Sequence, residues 1–315
     1  TQAEVDLQFF GPRGLVVVPG SPGVIVEAHG SRTISLESLV EVAGPLSLSV
    51  RASVGRVTAV TRDLRSKSLK PDGADWHLSA VAPSNELIIP AVPEGEGARE
   101  LVVANPGTKR AEVSIQVLGQ LGAFAPAGAE TVEVPPESTA AVHLAPGLAG
   151  VSGAIRLVSD EPVTGSVRSS SLREGAQSDI AIQAATPALV RTGVVALATA
   201  DRNDTATADS TDSELILSNA ADVATTVSLE VVSYAGVSER QDDVLIGPHS
   251  TSTRRLNTPG PCFLVVRVLD GSAVHGGVVF SQPDGAIAGL ASLPLTSPDV
   301  ASRAPDVVMD PTVGR

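Results

Sequence analysis

Cys262 is the only cysteine among 315 residues, and a single thiol cannot form an intrachain bridge. Aromatic residues make up 2% of the sequence, with Trp76 the one tryptophan and Tyr234 the one tyrosine. A core therefore has to be aliphatic, and a site that stacks bases or sugar rings has few residues to draw on. Lysine is confined to Lys67, Lys70 and Lys109, and the formal net charge is −13 with a pI near 4.8. That balance lacks the positive footprint nucleic acid requires. It also disfavours docking on anionic lipid and fits solubility. No apolar run approaches the ~18 residues of a membrane-spanning helix. Gly-x-Ser-x-Gly and Ser-x-x-Lys are both missing, so two familiar serine-hydrolase signatures fall away.

What the chain has instead is aliphatic, β-branched and repetitive. Val5-Asp6-Leu7-Gln8-Phe9-Phe10-Gly11 recurs as Val113–Gly119 and again as Val227–Ser233, at offsets of 108 and 114 residues. A period that long is a whole domain, since solenoid units run ~20–50 residues. Val113-Ser114-Ile115-Gln116-Val117 alternates with period two, which points one set of side chains inward and the other outward, as in an antiparallel sheet. The match continues through Thr33–Leu36, Ala141–Leu144 and Thr253–Leu256, each entered through a turn-prone approach. It goes on through Leu48–Val57, Ala154–Val163 and Val265–Val274. There Gly55, Asp160-Glu161 and Asp270-Gly271 read as hairpin chemistry. Glu100–Asn105 matches Glu214–Asn219 as an opening strand, and residues 1–4 are too few to supply it for copy one. Copy one is therefore expected to start inside a unit, with an upstream strand missing. Asp306-Val307-Val308-Met309 resembles Glu86–Ile89 and Gly193–Ala196, the segments that lead into an opening strand.

These spacings predict an all-β protein of three tandem immunoglobulin-like antiparallel β-sandwich modules. The expected divisions are residues 1–92 (first strand missing), 93–190, and 191–298 with an acidic linker at 200–213, then a tail at 299–315.

Leu101-Val102-Val103-Ala104-Asn105-Pro106-Gly107, Val113–Val117 and Val158-Ser159-Asp160-Glu161-Pro162-Val163 together resemble a family of uncharacterised secreted actinobacterial proteins. Its members look like tandem β-sandwich modules and carry a domain-of-unknown-function label. Leu-x-x-x-Asn-Pro and Ser-Asp-x-Pro-Val are the distinguishing elements. Copy two has both; copy three keeps Leu215 to Asn219 but has Ala220 for the proline, and copy one lacks the first. The resemblance implies export, often behind an upstream membrane anchor, and a place in the cell envelope. It implies no reaction and supplies no catalytic residues. An arginine-over-lysine, Ala/Val/Gly-rich composition fits a high-GC actinobacterium.

Candidate sites are few. Between copies two and three, Asp201, Asp204, Asp209 and Asp212 could hold Ca²⁺ through their carboxylates. EF-hand spacing fails there, with Thr205 in the third acidic position and Ala206 at the glycine position, and a solvated polar linker accounts for the same composition. Trp76 with His77 could form a platform for a sugar ring, in competition with ordinary core or edge packing. The five histidines show no zinc spacing. The expected function is a non-catalytic, secreted or membrane-anchored envelope protein, a structural scaffold or protein-interaction array. Its expected partners are an envelope protein or cell-wall glycan, with no nucleic acid and no cofactor apart from that calcium. A carbohydrate-binding module is the alternative, and a glycan-processing enzyme with unassigned carboxylates the third reading.

Overall fold

Alternating apolar residues build the first strand, β1 (Ala3–Gly11), in which Val5, Leu7 and Phe9 are buried while Glu4 and Gln8 face water. It pairs antiparallel with β2 (Gly14–Val16), β3 (Val24–Val26) and β4 (Ser47–Val54). A hairpin of β5 (Thr61–Lys67) and β6 (Lys70–His77) follows. The computed structural model describes the chain apart from residues 68–69, 145–147, 149, 198–210, 257–260, 272, 283–285 and 299–315, and its regular structure is all β.

The middle of the chain forms two facing layers from β7 (Ser84–Val92), β8 (Arg99–Asn105), β9 (Ala111–Gly119), β10 (Gly122–Phe124), β11 (Thr131–Val134), β12 (Ser138–His143), β13 (Gly153–Ser170) and β14 (Ile180–Ala184). One layer places the first half of β13 between β7 and β9, with β10 and β11 on β9. The other runs β12, β8, the second half of β13, then β14. Leu87, Ile115 and Leu157 of one layer meet Leu101, Val103 and Val167 of the other in a single core.

The last stretch repeats that order with β15 (Thr192–Leu197), β16 (Asp212–Asn219), β17 (Thr225–Ser233), β18 (Ser238–Arg240), β19 (Val244–Ile246), β20 (Ser250–Leu256), β21 (Cys262–Val268), β22 (Val274–Ser281) and β23 (Leu290–Pro294). One layer is β15, β21, β17 with β18 and β19; the other is β20, β16, β22, β23. Its core holds Leu215, Leu217, Leu229, Leu264 and Val278. Buried Cys262 packs within it, as a small apolar side chain would.

Three expectations change. Asp160-Glu161 does not close a hairpin: β13 runs straight through it and crosses from one layer to the other. The aspartate serves a neighbouring strand instead. Asp160 Oδ1 accepts from Glu112 N at 2.8 Å, and Asp270 Oδ1 accepts from Thr226 N at 2.5 Å in the matching place. Ser84–Val92, assigned to copy one by the sequence, pairs with β13 and belongs to the middle sheets. Two strand matches also slip by one residue. Leu7 faces Val50, Ile115 faces Leu157 and Leu229 faces Val266, which puts Leu48 in line with Ile155 and Leu264 rather than with Ala154 and Val265. By the same rule Ile88, not Leu87, falls in line with Val194. A one-residue slip exchanges the two faces of a strand. Runs such as Leu87-Ile88-Ile89, apolar on both faces, carry no alternation to forbid it.

The first part departs most. β8 and β16 are central strands, each flanked on both sides within its layer. Among the described residues of the first part no strand occupies that place. Residues 31–36 and 56–60, which match the flanking strands, form no ladder, because neither has a central neighbour to bond. The result is one sheet whose buried Val5, Leu7 and Phe9 pack against buried Val18 and against partly buried side chains such as Ile34, Leu36 and Val57.

Candidate functional site

The sheets meet at a contact that occurs twice. Thr139, second residue of β12, buries its hydroxyl and donates to Phe10 O at the end of β1, at 2.8 Å. Thr251, second residue of β20, donates to Leu118 O at the end of β9, at 2.5 Å. Phe10 and Leu118 stand at matching places in their strands. Beside the second contact, Ala220 packs on Ile88, Leu118 and Ala154. The approach turns hold the same strained residue each time, with φ of +57° at His29, +50° at Glu137 and +46° at His249. Such values are uncommon outside glycine.

Asn105 and Asn219 hold the threonines in place. Asn105 is fully buried; its Nδ2 reaches the carbonyls of Lys109, Val134 and Pro135 at 2.7, 3.1 and 3.1 Å, and its Oδ1 accepts from Gly107 N at 2.9 Å. Asn219 repeats this with Val223, Ile246 and Gly247 at 2.7, 3.4 and 3.0 Å, and with Ala221 N at 3.0 Å. The Leu-x-x-x-Asn signature is thus a clasp that ties the turn after β8 or β16 to the turn before β12 or β20. Its partners lie about 30 positions downstream, out of reach of a local motif reading.

Trp76 sits on β6, 57% exposed, with the Arg62 guanidinium 5.7 Å from the ring centroid across the hairpin. Adjacent His77 turns Nδ1 to Leu78 O at 3.1 Å, with that nitrogen as the donor. The hairpin is pinned to β14 by carboxylates. Asp75 Oδ2 accepts from Ile182 N at 2.6 Å, and Asp179 Oδ1 accepts from Ala74 N at 3.2 Å. The other oxygen of Asp179 accepts from Leu290 N at 3.1 Å, so one carboxylate touches the hairpin, the middle sheets and the last sheets. Burial raises the pKa of Asp75 above the usual carboxylate value, against the lowering effect of its bond from Ile182 N.

A shallow hollow of about 340 Å³ opens between the Pro93–Gly97 loop and Leu148, Gly150 and Val151. Its floor is Arg99, 3% exposed. That guanidinium spends its donors on the carbonyls of Pro93, Glu94, Gly95, Ala98 and Ser170, so it acts as a staple for the loop and has no donor left for an anion. Nearby, Ser152 Oγ donates to Glu214 Oε2 at 3.2 Å and accepts from Glu94 N at 2.9 Å. Burial, then the charge of Glu94, raise the Glu214 pKa. Ser152 is itself buried, and Glu214 is the one carboxylate its hydroxyl meets in these contacts.

Of the four candidate calcium donors, Asp201, Asp204 and Asp209 lie outside the described residues. Asp212 opens β16 with Oδ2 3.8 Å from Arg255 Nη2. Among the described residues no three His, Cys, Asp or Glu side chains converge as a metal would require.

A family of unknown function, DUF5719, matches residues 1–207. The chain belongs to that family. The matched stretch of this DUF5719 member takes in the first sheet, the hairpin and the middle sheets. No curated protein matches it. Among solved structures, the crystal structure of Thermotoga maritima 1070 is similar at 14% identity, over 33% of this chain and 94% of that one, with a TM-score of 0.28. Bacteroides uniformis β-glucuronidase is similar at 9% identity, over 67% of this chain and 26% of that one, with a TM-score of 0.17. No helix among the described residues is long and apolar enough to cross a membrane.

Proposed function

We propose that this DUF5719 member is an exported, non-catalytic spacer of the actinobacterial cell envelope, built from tandem immunoglobulin-like sandwich units. The observation that carries this reading is the repeated contact. A buried threonine hydroxyl of one unit reaches a strand-end carbonyl of the unit before it, twice, with matched geometry. Contacts that fix the angle between successive units suit a protein whose task is to hold loops at a set distance and presentation. The acidic surface favours solubility over adhesion to anionic lipid, and envelope proteins or wall glycan are the partners that fit such a role.

Fractionation of the native host supplies the first test: recovery in the cytosol, and not in the envelope, would end the reading. Small-angle scattering supplies the second. The native chain should give one narrow distribution of dimensions. Thr139→Val and Thr251→Val should each broaden it and cost about 1–3 kcal/mol, the usual penalty for a buried carbonyl left without a donor.

A second reading has an observation of its own. Trp76 is the most exposed aromatic platform of the hairpin and keeps one ring face clear of Arg62. Retention of the native chain on purified peptidoglycan, lost in Trp76→Ala with no change in melting temperature, would replace the spacer by a glycan-binding module.

A further inference from the structure

We infer that the first sheet is an acceptor for a strand pair with the chemistry of β7 and β8, which would convert it into a two-layered unit like the other two. Strand pairing alone specifies this acceptor, independent of the proposed role. β4 bonds β1 on one edge, and among the described strands it has no neighbour on the other. The matching edge of β13 carries β7, and that of β21 carries β15. Edges left open are normally blunted by charge, proline or cover. β4 reads Ser47-Leu48-Ser49-Val50-Arg51-Ala52-Ser53-Val54, with one charged residue and no proline, and its Val54 is 55% exposed.

The second layer has a vacancy of the same kind. β8 and β16 each give both edges to flanking strands. The counterparts of those flanks in the first part, residues 31–36 and 56–60, have no ladder. They bring Ile34, Leu36 and Val57 against the core yet leave them partly exposed. A strand inserted between them would supply backbone partners to both and seal those side chains. Leu101 and Val103 of β8 do this over Ile115 and Val117 in the middle core.

The occupant is therefore specified in chemistry and register. Its first strand is apolar on both faces and lies antiparallel on β4, with a residue like Ile89 opposite Leu48 and one like Leu87 opposite Val50. Those are the pairings Ile89 makes with Ile155 and Leu87 with Leu157. Its second strand carries Leu-x-Val toward the core and ends in asparagine, as β8 does. This is addition of strands to an exposed sheet edge, in which main-chain bonds give affinity and alternate side chains give specificity.

The test uses the full chain and a synthetic peptide of residues 84–107, which spans β7, β8 and the asparagine turn. Expected results are saturable one-to-one binding by calorimetry, and at least tenfold slower amide exchange in residues 31–36, 47–54 and 56–60 with no change in β21 or β22. A chimera carrying the same 84–107 segment fused ahead of Thr1 should show that protection without added peptide and should take up none. Failure of the peptide to bind would overturn the inference, as would equal binding of a scrambled peptide or undiminished uptake by the chimera. Sedimentation that shows a dimer with β4 already protected would overturn it as well, because a second copy would then fill the edge.

Discussion

His275 shows how much one side chain can report. It lies on β22 where the segment joining the middle and last sheets crosses over, with Nδ1 3.5 Å from Thr186 Oγ1. Burial depresses its pKa from 6.5 to about 4, against weaker raising effects from Thr186 and Glu86. The folded state therefore holds a neutral ring where the unfolded chain would take a proton. Stability from this group is complete above pH 6.5 and is lost as pH falls toward 4, by on the order of 3 kcal/mol over that window. Thr164 occupies the matching place in the middle sheets and donates to Val81 O at 2.9 Å. His275→Thr should flatten the slope of denaturant midpoint against pH between 6.5 and 4, whatever its absolute stability; an unchanged slope would exonerate His275. In sequence this histidine is one of five without zinc spacing. Its burial was illegible, because the lid over it comes from Thr186, 89 residues away.

At the scale of elements, the β5–β6 hairpin was the least legible. Its residues are mostly polar, and backbone bonds to Asp75 and Asp179 attach it. Ser178 also donates to Asp72 across the same seam. Gly73 makes the fit: its φ is +113°, and a Cβ there would stand 2.7 Å from Ile180 N. Gly73→Ala combines backbone strain with a clash against main chain. It should lift the hairpin from β14 while leaving the sheets intact. Exchange should quicken at residues 70–77 and at Ile182, and Trp76 emission should shift to the red. Strands with period-two patterns were legible by contrast, β1 and β9 above all, since one buried and one wet face leave a written trace. The two-faced strands β7 and β15 left none, which is why their alignment slipped by one residue.

The whole molecule is more coupled than a string of beads. Ala91, Ala181, Ile216, Val279 and Leu290 form a small core of their own between the middle and last sheets, built from faces that point away from either main core. Ile216 is its largest fully buried member. Ile216→Asp would place an unpaired charge there, a cost that single substitutions reach only in such settings. Calorimetry should then resolve two transitions where the native middle and last sheets melt together; a single transition, merely lowered, would mean the two pairs share more than this patch. The repeat period made the number and order of most strands readable. It could not reveal this contact, because Ala181, Ile216 and their neighbours appear in sequence as ordinary strand residues of either face.

The threonine contact also has a direction. The hydroxyl always belongs to the later unit and the carbonyl to the earlier one, so the two surfaces that meet are unlike. Unlike surfaces cannot mate about a twofold axis, and a contact of this type extends a line unless the rotation between units closes a ring. A gene carrying it can lengthen its product by adding one more period, and each added unit would arrive with its orientation already dictated.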